Sequence, residues 1–490
     1  MVIRITISWF PFFHTINTVC PILLLFNKES AWYRTKMGIL HTVGLSILQV
    51  WKVTLNLVSP KGNGIPEPGV VLQFLLSLVF GDEKLQKLEF LTDFYYKYGL
   101  FRYETKIYIF DPKLAHTAIN KLEKGAEDYL KNSPLKETFL GSSSKSPEVR
   151  RAIASIFRKT SIEERGKLII ADVDNLCEKI LRKSQKQENI NITQLSLQFA
   201  MDVVGHVLLD LDLFALEGRQ TKLLDCLTTI LHRCYALGEI SDQGQEFIQA
   251  NQDFEKLTTA ILEDALNKEE SPGEEKKFVK KLHEVCGFEQ ARDNMKLFLM
   301  AGSETTASTI PVILYLLTAY PELHHQIQLE ADQNIAQLCE DPTISLPRTE
   351  ALMKEVLRTY PIAPFISRRT FHNVTLGNVE IPANSDLIVF TWGIHRSENV
   401  WAKAKQFLPF RFLEDDISHG SMYIPFGAGS RICIGQHLAW LELKLAVAIL
   451  LHKINFSKVP ETPDLRFVVD WAHAVVHPDK DMIFKVTRRM

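Results

Sequence analysis

This chain lacks an excess of charge of either sign: 56 Lys and Arg face 58 Asp and Glu, a formal net charge of -2 over 490 residues. A nucleic-acid binder normally carries a basic footprint, so that class is set aside. Cysteine is scarce as well. The seven cysteines (Cys20, Cys177, Cys226, Cys234, Cys286, Cys339 and Cys433) are scattered, odd in number and never spaced Cys-x-x-Cys. That pattern excludes a disulfide framework and a structural zinc site of about four ligands, and it points to an intracellular, reducing compartment. No small-residue cleavage site follows the apolar N-terminus, so a removed signal peptide is not expected.

The chain does have enough length for a large core, and two or more domains would fit. Residues 5–26 carry no formally charged side chain, with Arg4 and Lys28 on either side. Their length suits a bilayer span. Pro11, Pro21, His14 and Asn17 argue equally for an interfacial or a buried segment. Residues 37–58 and 70–80 are further apolar stretches suited to a membrane surface. Between them lies a turn-rich hinge, Pro-Lys-Gly-Asn-Gly-Ile-Pro-Glu-Pro, at 60–68. The expected division is a divergent segment at 1–66 and a catalytic domain at 67–490.

Helical periodicity dominates the remainder, at 89–97, 150–157, 163–182, 195–213, 222–237, 254–266, 290–319, 350–360 and 435–453. Residues 101–110 read as a strand, Asp111-Pro112 opens a short helix, and 374–376, 379–381 and 386–390 read as strands of a small sheet. Residues 392–409 read as a loop leading toward the cysteine, and 465–486 ends in strand-like stretches around Trp471-Ala-His473. The fold class is therefore mainly α with a smaller β-rich part.

The stretch at 425–439, Pro-Phe-Gly-Ala-Gly-Ser-Arg-Ile-Cys-Ile-Gly-Gln-His-Leu-Ala, is a tight loop that presents Cys433 and runs into an apolar helix. A lone cysteine in a glycine-rich loop is ordinarily a small buried hydrophobe. Here Phe426, Gly427, Gly429, Arg431, Gly435 and Ala439 surround it at fixed offsets, and position by position they resemble the haem-binding loop of the cytochrome P-450 superfamily. The resemblance covers roughly residue 67 to the C-terminus and implies that fold. It implies haem b, with the Cys433 thiolate as iron ligand. Phe426 would cover the sulfur, Gly427 and Gly435 would admit the flat macrocycle, and Arg431 would offer a donor fork to a propionate.

Ala301-Gly302-Ser303-Glu304-Thr305-Thr306 is similar to the family's oxygen-binding helix. Gly302 would leave space above the iron. Glu304 and Thr305 would govern proton delivery, with Thr306 structural. Glu355 and Arg358 share a helical face three residues apart; the family pattern adds Arg411 as a third, structural partner. Arg368 would bind a propionate, with Arg369 as the nearby alternative. Phe298, Leu299, Ala301, Ile362, Ala363, Phe365 and Ile366 would line an apolar substrate pocket. The sequence departs from the family at Gly-Ser-Ser-Ser-Lys-Ser-Pro-Glu-Val-Arg-Arg (141–151), which holds neither the Trp nor the His that the family uses against a propionate. Arg150, Arg151 and Lys145 are the remaining candidates there.

The implied activity is insertion of one atom of O2 into a hydrophobic substrate such as a lipid, steroid or terpenoid. Electrons would come from a separate flavoprotein reductase or ferredoxin, and from NAD(P)H only indirectly. Membrane association, with the catalytic domain facing the cytoplasm, is compatible with this. Two alternatives stand beside it: a haem-thiolate enzyme that uses or rearranges peroxides, and a non-catalytic carrier of haem or apolar ligands.

Overall fold

The computed structural model describes residues 65–68, 70–80, 84–123, 138, 146–186, 188–234, 245–268, 277–413, 422–470 and 475–489. The expectations placed on 5–26, 37–58, 60–64, 142–145 and 471–473 lie outside them. Two compact units are found, Met1–Phe94 and Tyr95–Met490. In the first, helices α1 (Val70–Phe80) and α2 (Lys84–Phe94) meet through Phe80 and Phe90, with ring centroids 6.0 Å apart.

The second unit opens with a β-hairpin, β1 (Leu100–Tyr103) and β2 (Lys106–Ile109), where the sequence suggested one strand. Glu104, at φ 54°, makes the reversal between them. Asp111 then caps α3 (Pro112–Lys121): its carboxylate accepts the N–H groups of Lys113 and Leu114, and Pro112 fills the first helical position. Helices α4 (Ser146–Ala154), α5 (Lys159–Glu164) and α6 (Gly166–Ser184) follow, then the short β3 (Ile190–Asn191) and α7 (Ile192–Val203). The periodicity at 195–213 does not continue as an α-helix. It passes into a π-turn, Val204–Leu209, that ends at Asp210 in the left-handed region.

Next come α8 (Thr221–Cys234), α9 (Gln245–Asn267) and α10 (Phe278–Ala319). Gly287, at φ 76° and ψ 176°, breaks α10 near its start. Beyond the break α10 is buried on most sides and is the axis of the unit; α7, α9 and α14 (Gln436–Lys453) pack on it. Ile192–Leu209 and Phe278–Ala319 are long and apolar enough to cross a membrane, but 72% and 78% of their 18-residue apolar windows are buried within the protein. They are core helices.

Helix α11 (Pro321–Glu340), which the sequence reading passed over, precedes α12 (Pro347–Thr359). Strands β4 (Phe365–Arg369), β5 (Val374–Leu376), β6 (Val379–Ile381) and β7 (Asp386–Phe390) come next. The largest sheet has the order β1-β2-β7-β4, with β2 and β7 parallel and the other pairs antiparallel. The segment read as a loop from 392 begins instead as helix α13 (Thr391–Arg396). After α14, β8 (Ile454–Lys458), β9 (Phe467–Asp470), β10 (Val475–Pro478) and β11 (Ile483–Arg488) complete the chain. The architecture is mainly α with small sheets.

Candidate active site

Two glycines shape the cysteine loop. Gly427 and Gly429 have φ of 75° and 69°, and a Cβ on Gly429 would collide with the Asn120 side chain. The turn closes when Cys433 N–H donates to the Phe426 carbonyl at 2.9 Å and Ile432 N–H donates to Gly429 at 3.1 Å. Cys433 then sits two residues before the cap of α14, and its Sγ opens into a cavity of about 340 Å³. Its accessible surface faces this cavity, while the atoms packed around it push the thiol pKa up by burial. Gly435 N–H and the nearby Arg150 charge act in the opposite sense.

The cavity wall includes Cys433, Arg431, Phe426, Gly427 and Gly435 from the loop. Phe298, Ala301, Thr305, Ile362, Ala363 and Ile366 also line it, from α10 and the segment entering β4. The structure thus brings most of the residues singled out in the sequence to one place. Thr305 Oγ1 donates to the Ala301 carbonyl at 3.0 Å, and Thr309 Oγ1 donates to the Thr305 carbonyl at 2.8 Å.

Four expected residues stand elsewhere. Leu299 is 1% exposed and belongs to the apolar core. The cavity face of α10 runs through 297, 298, 301, 302, 305, 306 and 309, and 299 sits at its edge, turned into the apolar packing. Glu304, at the other edge of that face, is half-buried and is not among the residues that line the cavity. Phe365 alternates away from Ile366 along β4 and stacks on Phe390, with centroids 5.4 Å apart. Arg368 is 3% exposed and donates to the Ile119 carbonyl through Nε at 3.3 Å and Nη2 at 3.1 Å; it too is absent from the cavity wall. Its alternative, Arg369, lies 3.7 Å from Asp386.

Gly302 lines the cavity, yet a Cβ built on it would lie 2.6 Å from Val204 Cγ2. The glycine therefore permits close approach of α10 to the π-turn. Thr306, read as structural, lines the cavity and donates to Glu442 Oε2 at 3.3 Å. Glu442 itself escaped the sequence reading, although a carboxyl inside the apolar run of α14 was the signal available. At the departure from the family pattern, Arg150 lines the cavity while Arg151 is exposed.

Glu355 and Arg358 are both fully buried. Arg358 donates Nε to Glu355 Oε2 at 2.7 Å and Nη2 to Oε1 at 2.8 Å, a bidentate pair. Its Nη1 reaches the carbonyls of His395 and Ala404 at 2.6 and 2.9 Å. Arg411 Nε joins Glu355 at 3.3 Å, and Leu408 N–H donates to the same carboxylate at 2.7 Å. The three charges lock the irregular segment that precedes the cysteine loop.

The family model for cytochrome P450 matches residues 66–486. The chain belongs to the cytochrome P450 family. Among solved structures, the haem domain of a cytochrome P450DA mutant superposes with a TM-score of 0.71 at 19% identity, covering 87% of this chain and 98% of that one. A similar curated protein is LUTEIN DEFICIENT 5, a chloroplastic protein of Arabidopsis thaliana, 26% identical over 69% of this chain and 62% of its own length. Another is the steroid 17-alpha-hydroxylase/17,20 lyase of Mesocricetus auratus, 40% identical over 33% of each chain. The matches thus span less than two thirds of these relatives. The donor set in the cavity fits a haem: one thiol at the mouth of a glycine-shaped loop, two guanidinium groups, and walls that are otherwise mostly apolar. Cys433 would be the iron ligand, and Arg150 and Arg431, both on the cavity wall, would be the groups to meet propionates.

Proposed function

We propose that this P450 is a monooxygenase that inserts one oxygen atom of O2 into a hydrophobic organic molecule, with electrons supplied by a separate flavoprotein reductase or ferredoxin. The observation that carries this reading is that Cys433 Sγ and the Thr305 side chain open into one cavity from α14's entry loop and α10. Cys433 would hold a haem there, whose iron would supply the chemistry of O2 reduction and O–O cleavage that a thiolate ligand promotes.

The chain's own groups account for the rest. Cys433 must ligate as a thiolate; the Gly435 N–H and the Arg150 guanidinium both favour that anion against the cost of burial. Arg150 and Arg431 offset propionate charge at the cavity edge. The reaction consumes two protons for each oxygen inserted. Thr305 Oγ1 spends its own hydrogen on the Ala301 carbonyl, so its lone pairs can accept a proton and the hydroxyl can pass it on. Ile362, Ala363, Ile366 and Phe298 exclude water and bind apolar substrate. A lipid, steroid or terpenoid suits such walls, and the steroid hydroxylase among the relatives supports that choice. Contact with a membrane surface through residues 5–26 belongs to the same proposal and is checked by carbonate extraction.

The deciding measurement is the carbon monoxide difference spectrum of the reduced protein. The wild type is expected to show the long-wavelength Soret band of a thiolate-ligated haem, and Cys433→Ser is expected to lose it. An unchanged spectrum and turnover in Cys433→Ser would reject the reading.

A further inference from the structure

A second cavity, also of about 340 Å³, lies among α5, α12 and α14. Each helix gives it one face. On α14 that face runs through His437, Trp440 and Lys444, at offsets of three and four, which a helix brings to one side. Lys354 enters from α12 and Lys159 from α5. None of these residues lines the haem cavity.

Charge decides what the second cavity can take. Its wall holds three ammonium groups against two carboxylates, Glu163 and Glu350. Glu163 answers Lys159 at 3.6 Å. Glu350 is turned to the start of α12, where Oε1 accepts the Leu346 N–H at 3.2 Å and the Ser345 hydroxyl at 3.3 Å. The other two ammonium groups have no such match. Lys444 is 7% exposed and donates to the Ile344 carbonyl at 2.7 Å, which uses one of its three N–H donors. It forms no ion pair among the described residues. The Lys354 ammonium and the His437 ring make neither a hydrogen bond nor an ion pair among those residues. A buried cation with donors to spare is stabilised by an anion that brings several acceptor oxygens.

The wall also has an apolar side. The Trp440 ring packs on Phe426 of the cysteine loop, with centroids 5.8 Å apart, and this contact holds the indole in place. Inorganic phosphate alone would leave most of the space empty. We infer that this cavity binds an organic phosphate monoester. Lys444, Lys354 and His437 hold its anionic oxygens, and its organic part lies against Trp440. The site is independent of the monooxygenase reading, because the two cavities share no lining residue among those described.

The test is calorimetric titration of the full-length, haem-loaded protein at constant ionic strength, with phenyl phosphate and inorganic phosphate as probes. Phenyl phosphate should bind saturably at one site per chain, and inorganic phosphate more weakly. Lys354→Ala and Lys444→Gln should each weaken phenyl phosphate about tenfold, the loss of one charged hydrogen bond. Lys354→Arg should keep most of the affinity. Trp440→Leu should weaken phenyl phosphate and leave inorganic phosphate as it was. An unfolding midpoint equal to wild type in Lys354→Ala assigns its loss to the site. Phosphatidic acid vesicles carry the same phosphomonoester on a surface: failure to displace phenyl phosphate assigns the site to a soluble ligand, and displacement to a lipid headgroup. No saturable heat with either probe, or wild-type affinity in both lysine variants, overturns the site. Inorganic phosphate binding as tightly as phenyl phosphate overturns the assignment of an organic part.

Discussion

Arg150 Nη2 donates to the carbonyl of Ile432, the residue before Cys433, at 2.8 Å. One side chain from α4 thus braces the cysteine loop and brings a positive charge toward its sulfur. Burial and Arg431 lower the Arg150 pKa, whereas the Cys433 anion raises it. The guanidinium and the thiolate therefore favour each other. Arg150→Ala should move the Cys433 thiol pKa upward and weaken haem retention. Alkylation rate against pH in the haem-free protein reports the first effect, and haem loss in mild denaturant reports the second. Arg150→Lys should restore part of the charge effect but not the fork geometry.

Glu355 receives three partners on two oxygens: Arg358, Arg411 and the Leu408 N–H. Removing the carboxylate strands a fully buried guanidinium, at a cost of roughly 3–5 kcal/mol. Glu355→Ala should lower the unfolding midpoint and yield protein depleted of haem, and neither defect should depend on the substrate offered. Denaturant titration and the haem-to-protein ratio check this. A variant with normal haem content and altered product distribution would contradict the structural role.

The sequence displayed the loop chemistry more clearly than the lining. Cys433, its glycines and the 355–358 pair were legible because fixed short spacings specify local geometry. Leu299 and Phe365 lie off the cavity wall because the sequence neighbours of lining residues need not share their face. One step along a helix turns a side chain by about 100°, and one step along a strand reverses it. Arg150 could not be told from its neighbour Arg151, since which of two successive arginines faces inward depends on how α4 sits on the loop. The pairing of Glu442 with Thr306 joins residues far apart in the chain, and no local pattern announces it. The π-turn was hidden for a related reason: the apolar period at 195–213 continues through it, and only the packing of Val204 on Gly302 marks the change.

That packing gives a prediction with its own rescue. A methyl group on Gly302 would sit 2.6 Å from Val204 Cγ2, so Gly302→Ala forces α10 and the π-turn apart. Overpacking of this kind costs about 1–3 kcal/mol. Val204→Ala alone should lose less than that, and the double variant Gly302→Ala/Val204→Ala should recover most of the stability lost by Gly302→Ala. Equilibrium unfolding of the four proteins closes the cycle. Additive losses would show that the two residues do not share the contact.

His395 gives the pH dependence with the clearest sign. It is fully buried, its Nε2 accepts the Ile424 N–H at 2.9 Å, and it stacks on Tyr423 with centroids 5.6 Å apart. Burial, followed by the positive Arg358, depresses its pKa from 6.5 to about 3. In the unfolded chain the imidazole takes up a proton as the pH falls below about 6.5, whereas in the folded protein it stays neutral until about pH 3. The unfolded state therefore binds more protons across that window, and stability must fall as pH is lowered through it, by an amount on the order of 5 kcal/mol for this group. Above the unfolded pKa the contribution is flat. Carboxylates titrate in the same acid range, so the informative quantity is the difference between wild type and His395→Gln, which cannot titrate. The variant should be less stable at pH 7.5, where the Ile424 N–H and the Tyr423 ring lose their partner, and should lose less stability on acidification. The two unfolding curves should converge between about pH 6.5 and pH 3, the range that linkage assigns to this imidazole. A constant separation across that range would place the histidine's titration elsewhere.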